Sequence, residues 1–572
     1  MKRCLTLIAV AAAWALVPVS TAASADGRDL ARGPSGDGGN QSLRVVLLGL
    51  RSDERGLTRF VRRVSRPGSR RYGRYLNPRK LRHRYGAARG VRRRVLNFLR
   101  SQDGVERVRL GSTGAVALAV VEAGAAQTLF CATGSNPPGE DVCVPRALRR
   151  VVRQVSVGET YQAGNASRAA SAGTAAAERT GTPRGCKAGV DSGSFTPNQI
   201  DTAYGTDKLN ARGLKGQGMQ VAILSSAFVD ESAFATWAGC FGLPTPRFEQ
   251  TPMPGASIDT STDPDETYLD VEALAAVAPK LHRITAIFVP LDDSFVNSFP
   301  LFLYGALDRG RLGHFPDVLS ISDAVCESLF SPDELRISER LLRRAAALGI
   351  TAISASGDLG FLGCNSGSSG ASFPASSRYV TGVGGTDLTL TTQNQIADQV
   401  VWSTFGADPD QGGGTGGGPS SVWRRPGFQT ARGIDGSLQP GARSRLTPDI
   451  ASMGSFTPGI VTFGGFGGWT GGGGTSAATP LAAALIALVN QQEVAAGRSE
   501  LGALNPALYQ LARGRHYDSI FWDVVKGTSS PHPNTPLGRS PAGGAAQRGF
   551  DLATGLGSLR GPRFAAAVAA SR

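Results

Sequence analysis

The chain has 572 residues, 41% of them apolar, so two or more domains with packed cores are expected. Its 75 glycines and 33 prolines argue against a helical bundle, yet the composition falls short of that of a disordered chain. The formal net charge is +15, and residues 51–110 account for this excess, with 20 Lys and Arg against 4 Asp and Glu.

The first 25 residues have the pattern of a secretion signal. A basic start, Lys2-Arg3, precedes an apolar run over residues 4–19, and Ala-Ser-Ala at 23–25 fits a cleavage site. We predict that residues 1–25 are removed on export, with an uncleaved membrane anchor as the alternative. No later stretch has the length and apolar character of a spanning helix, so we expect a secreted, extracellular protein without a membrane partner.

Six cysteines remain once the predicted signal is removed, and an even number in an exported chain permits disulfides. No two of them form a Cys-x-x-Cys pair, so a zinc site is not expected. Exported proteins rarely meet nucleic acid, so we expect no nucleic-acid partner. We interpret the basic stretch as a surface that faces a less basic surface of the same chain.

Residues 43–123 have the pattern of a small α+β unit. The apolar run LRVVLLGL at 43–50 predicts a strand, residues 56–64 and 88–102 have helical spacing, and residues 105–123 supply further strand-like segments. Residues 157–185 are then rich in Ala, Ser, Gly, Thr and Arg. This composition is typical of a linker, which is a good place for a protease to cut.

After the linker, short apolar strands alternate with helical stretches. Alternation at this spacing predicts a parallel α/β sheet with helices on both faces. Ligands in such sheets bind at the carboxyl ends of the strands. The predicted strands lie at 219–226, 282–289, 317–322, 350–356 and 379–385, and the predicted helices at 266–278 and 338–349.

The stretch WTGGGGTSAATP at 469–480 indicates a nucleophile at the entrance of a helix. Four glycines allow a close backbone approach, and Ser476 lies where the helix begins. Free backbone N–H groups and the helix dipole favour a developing oxyanion at that point. The alternative is an ordinary N-cap serine after a glycine-rich loop. The string GTSAATP also resembles the nucleophile segment of subtilisins.

A subtilisin-like serine needs a histidine base, in a stretch such as HGTHVAG, and the chain has no such stretch. None of its five histidines lies in a small-residue helix entrance, and each is more typical of a surface or packing position. They are His83, His282, His314, His516 and His532.

Carboxyl groups offer a different base. Glu266 and Asp270 are spaced i, i+4 and so share one face of the predicted helix 266–278. Like charges in a partly buried site raise one carboxyl pKa, and such a group can act as a general base at acid pH. Asp358 follows the strand predicted at 350–356, where a protonated carboxyl could donate to an oxyanion. The alternatives are a solvated acidic helix start and a turn residue without chemistry.

Taken together, the ExxxD helix, the SGDxG turn and GGTSAATP resemble the sedolisin (serine-carboxyl peptidase) family. Residues 65–86, SRPGSRRYGRYLNPRKLRHRYG, resemble the family's activation prodomain, and FPASSRYVTGVGGTDL, GGGPSSVWRRPGFQ and RLTPDIAS resemble its core segments. The resemblance implies a subtilisin-like parallel sheet with helices on both faces, preceded by a small ferredoxin-like α+β prodomain of the pro-kumamolisin type. The implied organisation is a signal at 1–25, a prodomain at 26–156, a cleavable linker at 157–185 and a peptidase domain at 186–572.

A role for each motif residue also follows from the resemblance. Ser476 would be the nucleophile, Glu266 its general base and then acid, Asp270 the support of Glu266, and Asp358 the oxyanion partner. The implied protein is a secreted endopeptidase, made as a proenzyme and active at acid pH on proteins or peptides, with its own prodomain as intramolecular inhibitor. A histidine-dependent subtilisin-like protease and an inactive secreted binding protein of the same fold are the alternatives.

Members of this family bind calcium near the C-terminus, so the resemblance implies one Ca²⁺ ion here. The implied ligands are the carboxylates of Asp523 and Asp551 and the carbonyls of Val524, Gln547 and Gly549. Gln547 replaces a glycine of the family's loop. A carbonyl ligand survives that change, whereas the backbone conformation that glycine permits is in question.

Two further expectations come from the resemblance. Cys326 and Cys364 flank the active-site loops and would pair as similar cysteines do in relatives, which leaves Cys131–Cys143 and Cys186–Cys240 by elimination. Asp323 stands where the family often has Trp, and we expect it to alter the substrate cleft. The charge split suggests in addition that the basic prodomain pairs with carboxylates of the catalytic domain, which acid would protonate.

Overall fold

A small N-terminal domain and a larger α/β domain follow one another along the chain. This computed structural model describes residues 43–132, 142–159, 179–225, 227–254, 264–289, 298–308, 312–361, 364, 370–405, 412–437, 443–465, 468–532, 534, 536 and 539–571. The predicted signal at 1–25 and residues 160–178 of the predicted linker lie outside the described residues. From Ser42 to Arg572 the chain forms one compact unit, which contains both domains.

The N-terminal domain is a four-stranded antiparallel sheet in the order β2-β3-β1-β4, with helices packed against it. This architecture confirms the small α+β fold that the sequence predicts for the N-terminal part of the chain. The strands are β1 (Leu43–Leu50), β2 (Val105–Leu110), β3 (Val116–Glu122) and β4 (Val152–Glu159), and the helices are α1 (Glu54–Val64), α2 (Pro78–Tyr85), α3 (Arg89–Arg100) and α4 (Ala123–Phe130).

The larger domain is built on a ten-stranded sheet in the order β19-β20-β16-β12-β10-β8-β5-β7-β6, with β13 beside β12. Neighbours from β20 to β6 are parallel, as the alternation of strands and helices predicts, whereas β19 and β13 pair antiparallel. The five strands predicted from the sequence are β5, β7, β8, β10 and β12. The sheet consists of β5 (Gln220–Ser225), β6 (Phe248–Pro252), β7 (Arg283–Phe288), β8 (Val318–Ile321), β10 (Thr351–Ala355), β12 (Val380–Leu390), β13 (Ile396–Val401), β16 (Ile450–Met453), β19 (Phe521–Trp522) and β20 (Ser558–Leu559).

Short ribbons and helices surround this sheet. The antiparallel ribbons pair β9 (Val325–Cys326) with β11 (Ser372–Phe373), β14 (Gly418–Arg424) with β15 (Ser444–Thr447), and β17 (Ile460–Gly465) with β18 (Gly468–Gly472). The helices are α5 (Lys187–Asp191), α6 (Pro197–Tyr204), α7 (Thr206–Ala211), α8 (Glu231–Cys240), α9 (Asp265–Val277), α10 (Ser298–Ala306), α11 (Pro332–Leu348), α12 (Gly474–Ala495), α13 (Asn505–Ala512), α14 (Tyr517–Ile520) and α15 (Gly561–Ala570). Among the described residues, none of the helices is both long and apolar enough to cross a membrane.

Helices α9 and α12 carry two of the predicted motifs and share one hydrophobic core. Every residue of α9 from Thr267 to Val277 is buried, and α12 contributes a run of alanines to the same core. Side chains at a contact set how closely two helices approach, and alanines allow a close approach. This packing brings the starts of the two helices, with Glu266 and Ser476, to one place.

Strand β1 is apolar along its length because both of its faces are buried. Successive side chains of a strand point to opposite faces. Val46 and Leu48 therefore pack with helix α3 of their own domain, whereas Val45 and Leu47 belong to a core shared with α10 and α11 of the larger domain. The run that predicts the strand thus also supplies part of the contact between the domains.

A buried ion cluster adds to that contact. Glu54, at the start of α1, accepts hydrogen bonds from Arg340, Arg343 and Arg344 of helix α11 at 2.8, 2.7 and 2.6 Å. Burial alone would raise the pKa of Glu54, but the charges of Arg344 and Arg340 outweigh it and hold that pKa well below its usual range. Glu54 therefore stays ionised under moderately acid conditions.

The polarity of this cluster is the reverse of the pairing suggested by the charge split. Here the basic N-terminal domain contributes the carboxylate and the larger domain contributes the arginines. Arg109 and Asp308, which lie 3.3 Å apart, form an ion pair of the suggested polarity. Acid conditions that would protonate the carboxylates of the larger domain would leave the Glu54 cluster ionised.

We predict that Glu54→Gln lowers the free energy of unfolding by about 3–5 kcal/mol, because three arginines lose their shared counter-charge. The folded-state pKa of Glu54 is depressed, so its contribution is present above the unfolded pKa of about 4 and is lost only as pH falls through the folded value. Denaturant unfolding of the Ser476→Ala chain, with and without Glu54→Gln, measures the difference. The exposed Glu106→Gln is the matched control, and an equal effect of the two changes would contradict the prediction.

Candidate active site

The predicted nucleophile lies in the first turn of α12. Gly474, Thr475 and Ser476 open this helix, directly after the strand that ends at Gly472. Gly474 has a φ of 77°, and a Cβ atom there would lie 2.3 Å from Oδ2 of Asp358. Glycine is needed at this position because of the positive φ and because there is no room for a Cβ atom. The absence of a side chain lets the start of the helix lie directly against Asp358.

Ser322 connects the predicted nucleophile to the carboxyl pair. The Ser476 hydroxyl donates to the carbonyl oxygen of Ser322 at 3.3 Å. The Ser322 hydroxyl in turn donates to Oδ1 of Asp270 and lies 3.3 Å from the carbonyl oxygen of Ser476. Sequence reasoning gives Ser322 no role. The signal that could have found it is its place at the carboxyl end of a predicted central strand, β8.

Glu266 and Asp270 lie one helical turn apart on α9. Burial raises the pKa of Glu266 to about 8, the nearby Asp323 carboxyl adds to the rise, and the Ser476 hydroxyl partly offsets it. Burial also raises the pKa of Asp270 well above its usual range, and the charge of Glu266 raises it further. Oε1 of Glu266 and Oδ2 of Asp270 are buried and have no hydrogen-bond partner among the described residues. The pair can therefore hold at least one proton over a wide pH range.

Asp358 lies just beyond β10, against the start of α12. Its Oδ1 accepts hydrogen bonds from the backbone N–H of Thr475 at 2.8 Å and from the Thr475 hydroxyl at 2.6 Å. Burial raises the pKa of Asp358, and these two hydrogen bonds only partly oppose the rise. Because Oδ1 accepts both bonds, Oδ2 is the oxygen on which a proton would sit.

A fourth carboxyl, that of Asp323, belongs to the same cluster. It follows Ser322 in the chain, and its charge raises the pKa of both Glu266 and Asp270. Burial raises the pKa of Asp323 itself to about 7. Within the described residues, no Lys, Arg or His forms an ion pair with any of the four carboxyls.

Histidine does not take the place of these carboxyls. All five histidines lie in the described part of the chain, and none of them is hydrogen-bonded to Ser476 or affects the pKa of Glu266 there. His314, for example, faces Glu249 at 3.8 Å. The geometry therefore favours carboxyl chemistry over a subtilisin-type histidine.

Several known proteins and one family model are similar to this chain. The family model "Pro-kumamolisin, activation domain" matches residues 37–136. Kumamolisin of Bacillus sp. (strain MN-32) is 33% identical over 383 residues, which cover 66% of this chain and 64% of that protein. Tripeptidyl-peptidase 1 of Bos taurus is 34% identical over 312 residues, 52% of this chain and 50% of that one. Pseudomonas sedolisin, a serine-carboxyl proteinase solved with two molecules of pseudo-iodotyrostatin, has the same fold, with a TM-score of 0.55 at 23% identity over 68% of this chain and 99% of that chain.

The sequence similarities support the sedolisin family for this chain, and the solved structure shows the shared fold. The alignments span less than two thirds of the length of kumamolisin and of tripeptidyl-peptidase 1. The activation-domain match falls inside the predicted prodomain at 26–156, whose boundaries stay predictions, as do those of the linker and the peptidase domain. The fold that the family resemblance implied is confirmed, with a large, mostly parallel sheet and a small α+β domain before it.

Three disulfides are formed as the family resemblance implied. Cys326–Cys364 ties the segment after Asp323 to the loop after Asp358, so it connects two of the loops that carry the carboxyl cluster. The other two bonds are Cys131–Cys143 and Cys186–Cys240.

The calcium ligands implied by the sedolisin resemblance come together near the C-terminus. Both oxygens of Asp523 lie 3.1 Å from the backbone N–H of Gly549, and Asp551 accepts the backbone N–H of Gln547 at 3.2 Å. Within the described residues, no backbone N–H donates to the carbonyl oxygens of Val524, Gln547 and Gly549. Two carboxyls and three available carbonyls form a donor set that suits Ca²⁺.

The electrostatics of this loop also fit a cation. Burial raises the pKa of Asp551 to about 7 and raises that of Asp523, so a bound divalent ion would offset the cost of ionising them. Gln547 is not among the described residues with a positive φ, and its side chain donates to the carbonyl of Phe550 at 2.6 Å. Glutamine is therefore accommodated there. The described residues hold no group of three or more His, Cys, Asp or Glu suited to a metal, and this set has only two carboxylates.

We predict that the carboxyl cluster makes the chain less stable as pH rises. The folded-state pKa of Glu266 is raised to about 8, so its contribution to stability is complete below the unfolded value of about 4 and is lost as pH rises towards 8. In the Ser476→Ala chain, Glu266→Gln should reduce the loss of unfolding free energy between about pH 5 and pH 8 by about 1 kcal/mol or more. If the unfolding free energy falls equally in the two chains between these pH values, the prediction is wrong.

Proposed function

We propose that this chain is the secreted proenzyme of a serine-carboxyl endopeptidase that acts at acid pH. The observation that carries the proposal is the position of Ser476, at a helix entrance beside buried carboxyls and apart from every histidine. The similarity to kumamolisin and to tripeptidyl-peptidase 1 supports the same reaction. Residues 1–25 would direct export, and proteins or peptides would be the substrates.

In the proposed reaction, Glu266 takes the proton of the Ser476 hydroxyl as Oγ attacks the carbonyl carbon of the peptide bond. The protonated Glu266 then gives this proton to the leaving amine, and the acyl group stays on Oγ. Water attacks the ester while Glu266 takes its proton, and Ser476 regains a hydrogen as the acid leaves. Asp270 supports Glu266, and Ser322 holds Asp270 in place through its hydrogen bond to Oδ1.

Asp358 would stabilise the oxyanion of the tetrahedral intermediate. A neutral carboxyl can donate a hydrogen bond where an ionised one would repel a negative charge. The burial that raises the pKa of Asp358 supports its neutral form in acid. The proton of this neutral form would sit on Oδ2, because Oδ1 already accepts two hydrogen bonds. The backbone N–H of Ser476 would be the second donor at the helix entrance.

Acid pH suits this arrangement because the carboxyls titrate as a cluster. The first proton to leave a group of close carboxyls does so at a lower pH than the last one. As the pH rises from strongly acid values, the first negative charge to form in the cluster would be available to Glu266, while Asp358 keeps its proton. A histidine base would already be protonated under these conditions.

The N-terminal domain would act as an intramolecular inhibitor until it is cut away. The shared core around Val45 and Leu47 and the Glu54 cluster support a stable complex between the two domains. Cleavage is proposed in the segment 157–185. Because Glu54 stays ionised in moderate acid, we expect release of the N-terminal domain to depend on this cut as well as on pH.

We expect turnover of a casein-like substrate to peak in acid and to fall by about 10⁴-fold or more in both Ser476→Ala and Glu266→Gln. Peptide-release assays from acid to neutral pH, on chain freed of its N-terminal domain, measure this. His282→Gln is the matched control and should keep the wild-type profile. Activity retained in Glu266→Gln would overturn the carboxyl mechanism, and the absence of turnover at every pH would favour the inactive binding protein.

Calcium would serve this protein as a structural ion at the loop of Asp523 and Asp551, where it would neutralise buried carboxylates. We expect added Ca²⁺ to stabilise the folded chain by about 3 kcal/mol at a hundredfold excess over Kd, and a chelator to remove this gain. Thermal unfolding measures the effect. Asp523→Asn should abolish it and the exposed neighbour Asp518→Asn should keep it. Equal responses of the two variants would contradict the assignment.

A further inference from the structure

Asp323 occupies a position that the proposed mechanism leaves without a role. It comes directly after Ser322, whose carbonyl accepts the Ser476 hydroxyl and whose own hydroxyl donates to Asp270. The residue therefore stands at the carboxyl end of β8, in the middle of the large sheet. Sedolisins often have Trp at this point, and an indole ring cannot take up or release a proton there.

Asp323 acts electrostatically on two carboxyls of α9, those of Glu266 and Asp270. The other charged groups that act on Glu266 are acidic too: Asp265, at the start of α9, and Asp358, in the loop after β10. The group that α12 contributes is the hydroxyl of Ser476. In the described residues, no cationic side chain forms an ion pair with Asp323, Glu266 or Asp270.

A second negative charge beside Glu266 would be costly, because Oε1 of Glu266 is buried and charges interact strongly where the effective dielectric constant is low. Of the neighbouring charges, that of Asp323 has the largest effect on Glu266, ahead of Asp358 and Asp265. Asp323 and Glu266 therefore compete for the single charge that the cluster can carry. Whichever group is ionised helps the other to keep its proton.

We propose that Asp323 is a positioning residue for the proton of the catalytic cluster, and that it sets the pH at which Glu266 becomes a base. This inference rests on the proposed peptidase function. Asp323 touches neither the scissile bond nor the nucleophile in the proposed reaction, and it acts through the charge state of Glu266. Its presence moves the activity profile towards neutral pH, relative to a site with an uncharged residue at 323.

The decisive experiment is the pH dependence of kcat/KM, measured on a fluorogenic peptide with the chain freed of its N-terminal domain. Asp323→Asn should move the acid limb at least half a pH unit lower, because Glu266 then loses its proton more easily. Asp265→Asn makes the same chemical change at a carboxyl with a weaker effect on Glu266, so it should move the limb less. Asp323→Glu should restore a limb close to that of the wild type. A limb that stays in place in Asp323→Asn overturns the proposal.

A second measurement does not depend on activity. In the full-length Ser476→Ala chain, the drop in melting temperature between about pH 5 and pH 8 should be smaller with Asp323→Asn than without it, because one acidic group fewer has to ionise. Asp323→Ser provides a second variant where the asparagine does not fold. Identical pH profiles of melting overturn the proposed role. A smaller drop in the Ser476→Ala chain, combined with no peptide cleavage at any pH by the chain that keeps Ser476, supports the shared proton and refutes the peptidase function.

Discussion

The burial of carboxyl groups without counter-charges is the constraint on which the candidate site depends. Helix α12 begins with small residues, so the starts of α9 and α12 come close enough to enclose Glu266, Asp270 and the Ser476 hydroxyl. An ionised carboxyl is costly there, and the cluster must keep protons that exposed carboxyls would lose. Glu266 lies in the first turn of α9, where the helix dipole favours a negative charge. The single charge is therefore better placed on Glu266 than on Asp270, one turn further along.

Local patterns in the sequence predicted much of this arrangement. The parallel sheet is covered on both faces, so its central strands are continuous apolar runs, and β5, β7, β8, β10 and β12 lie within a residue or two of the predicted segments, apart from a longer end of β12. The i, i+4 spacing of Glu266 and Asp270 places both residues on one face of their helix, independently of the rest of the fold. The sequence motifs then connected these local features to one family, because few kinds of protein combine a glycine-rich helix entrance with an acidic helix.

Contacts between distant parts of the chain were beyond such patterns. Ser322 and Ser476 are 154 positions apart, and nothing in the period of either segment says that one carbonyl will meet the other hydroxyl. The sequence suggested only that Asp323 alters the substrate cleft. Its position relative to α9 depends on the order of strands in the sheet, which local sequence patterns do not give. Glu54 looked like an ordinary acidic residue at a helix start, and its three arginine partners lie 286 to 290 positions away.

The candidate active site and the Glu54 cluster follow one physical rule with opposite outcomes. At the candidate active site, buried carboxyls without cations have raised pKa values and keep protons into the neutral range. At the contact between the domains, a buried carboxylate among three arginines has a lowered pKa and stays charged in acid. A fall in pH from neutral to moderately acid therefore changes the charge of the first site and leaves the second one unchanged. In the proposed peptidase, acidification would therefore prepare the carboxyl cluster for chemistry while the N-terminal domain stays bound, and covalent cleavage of the chain would be the step that allows the two domains to separate.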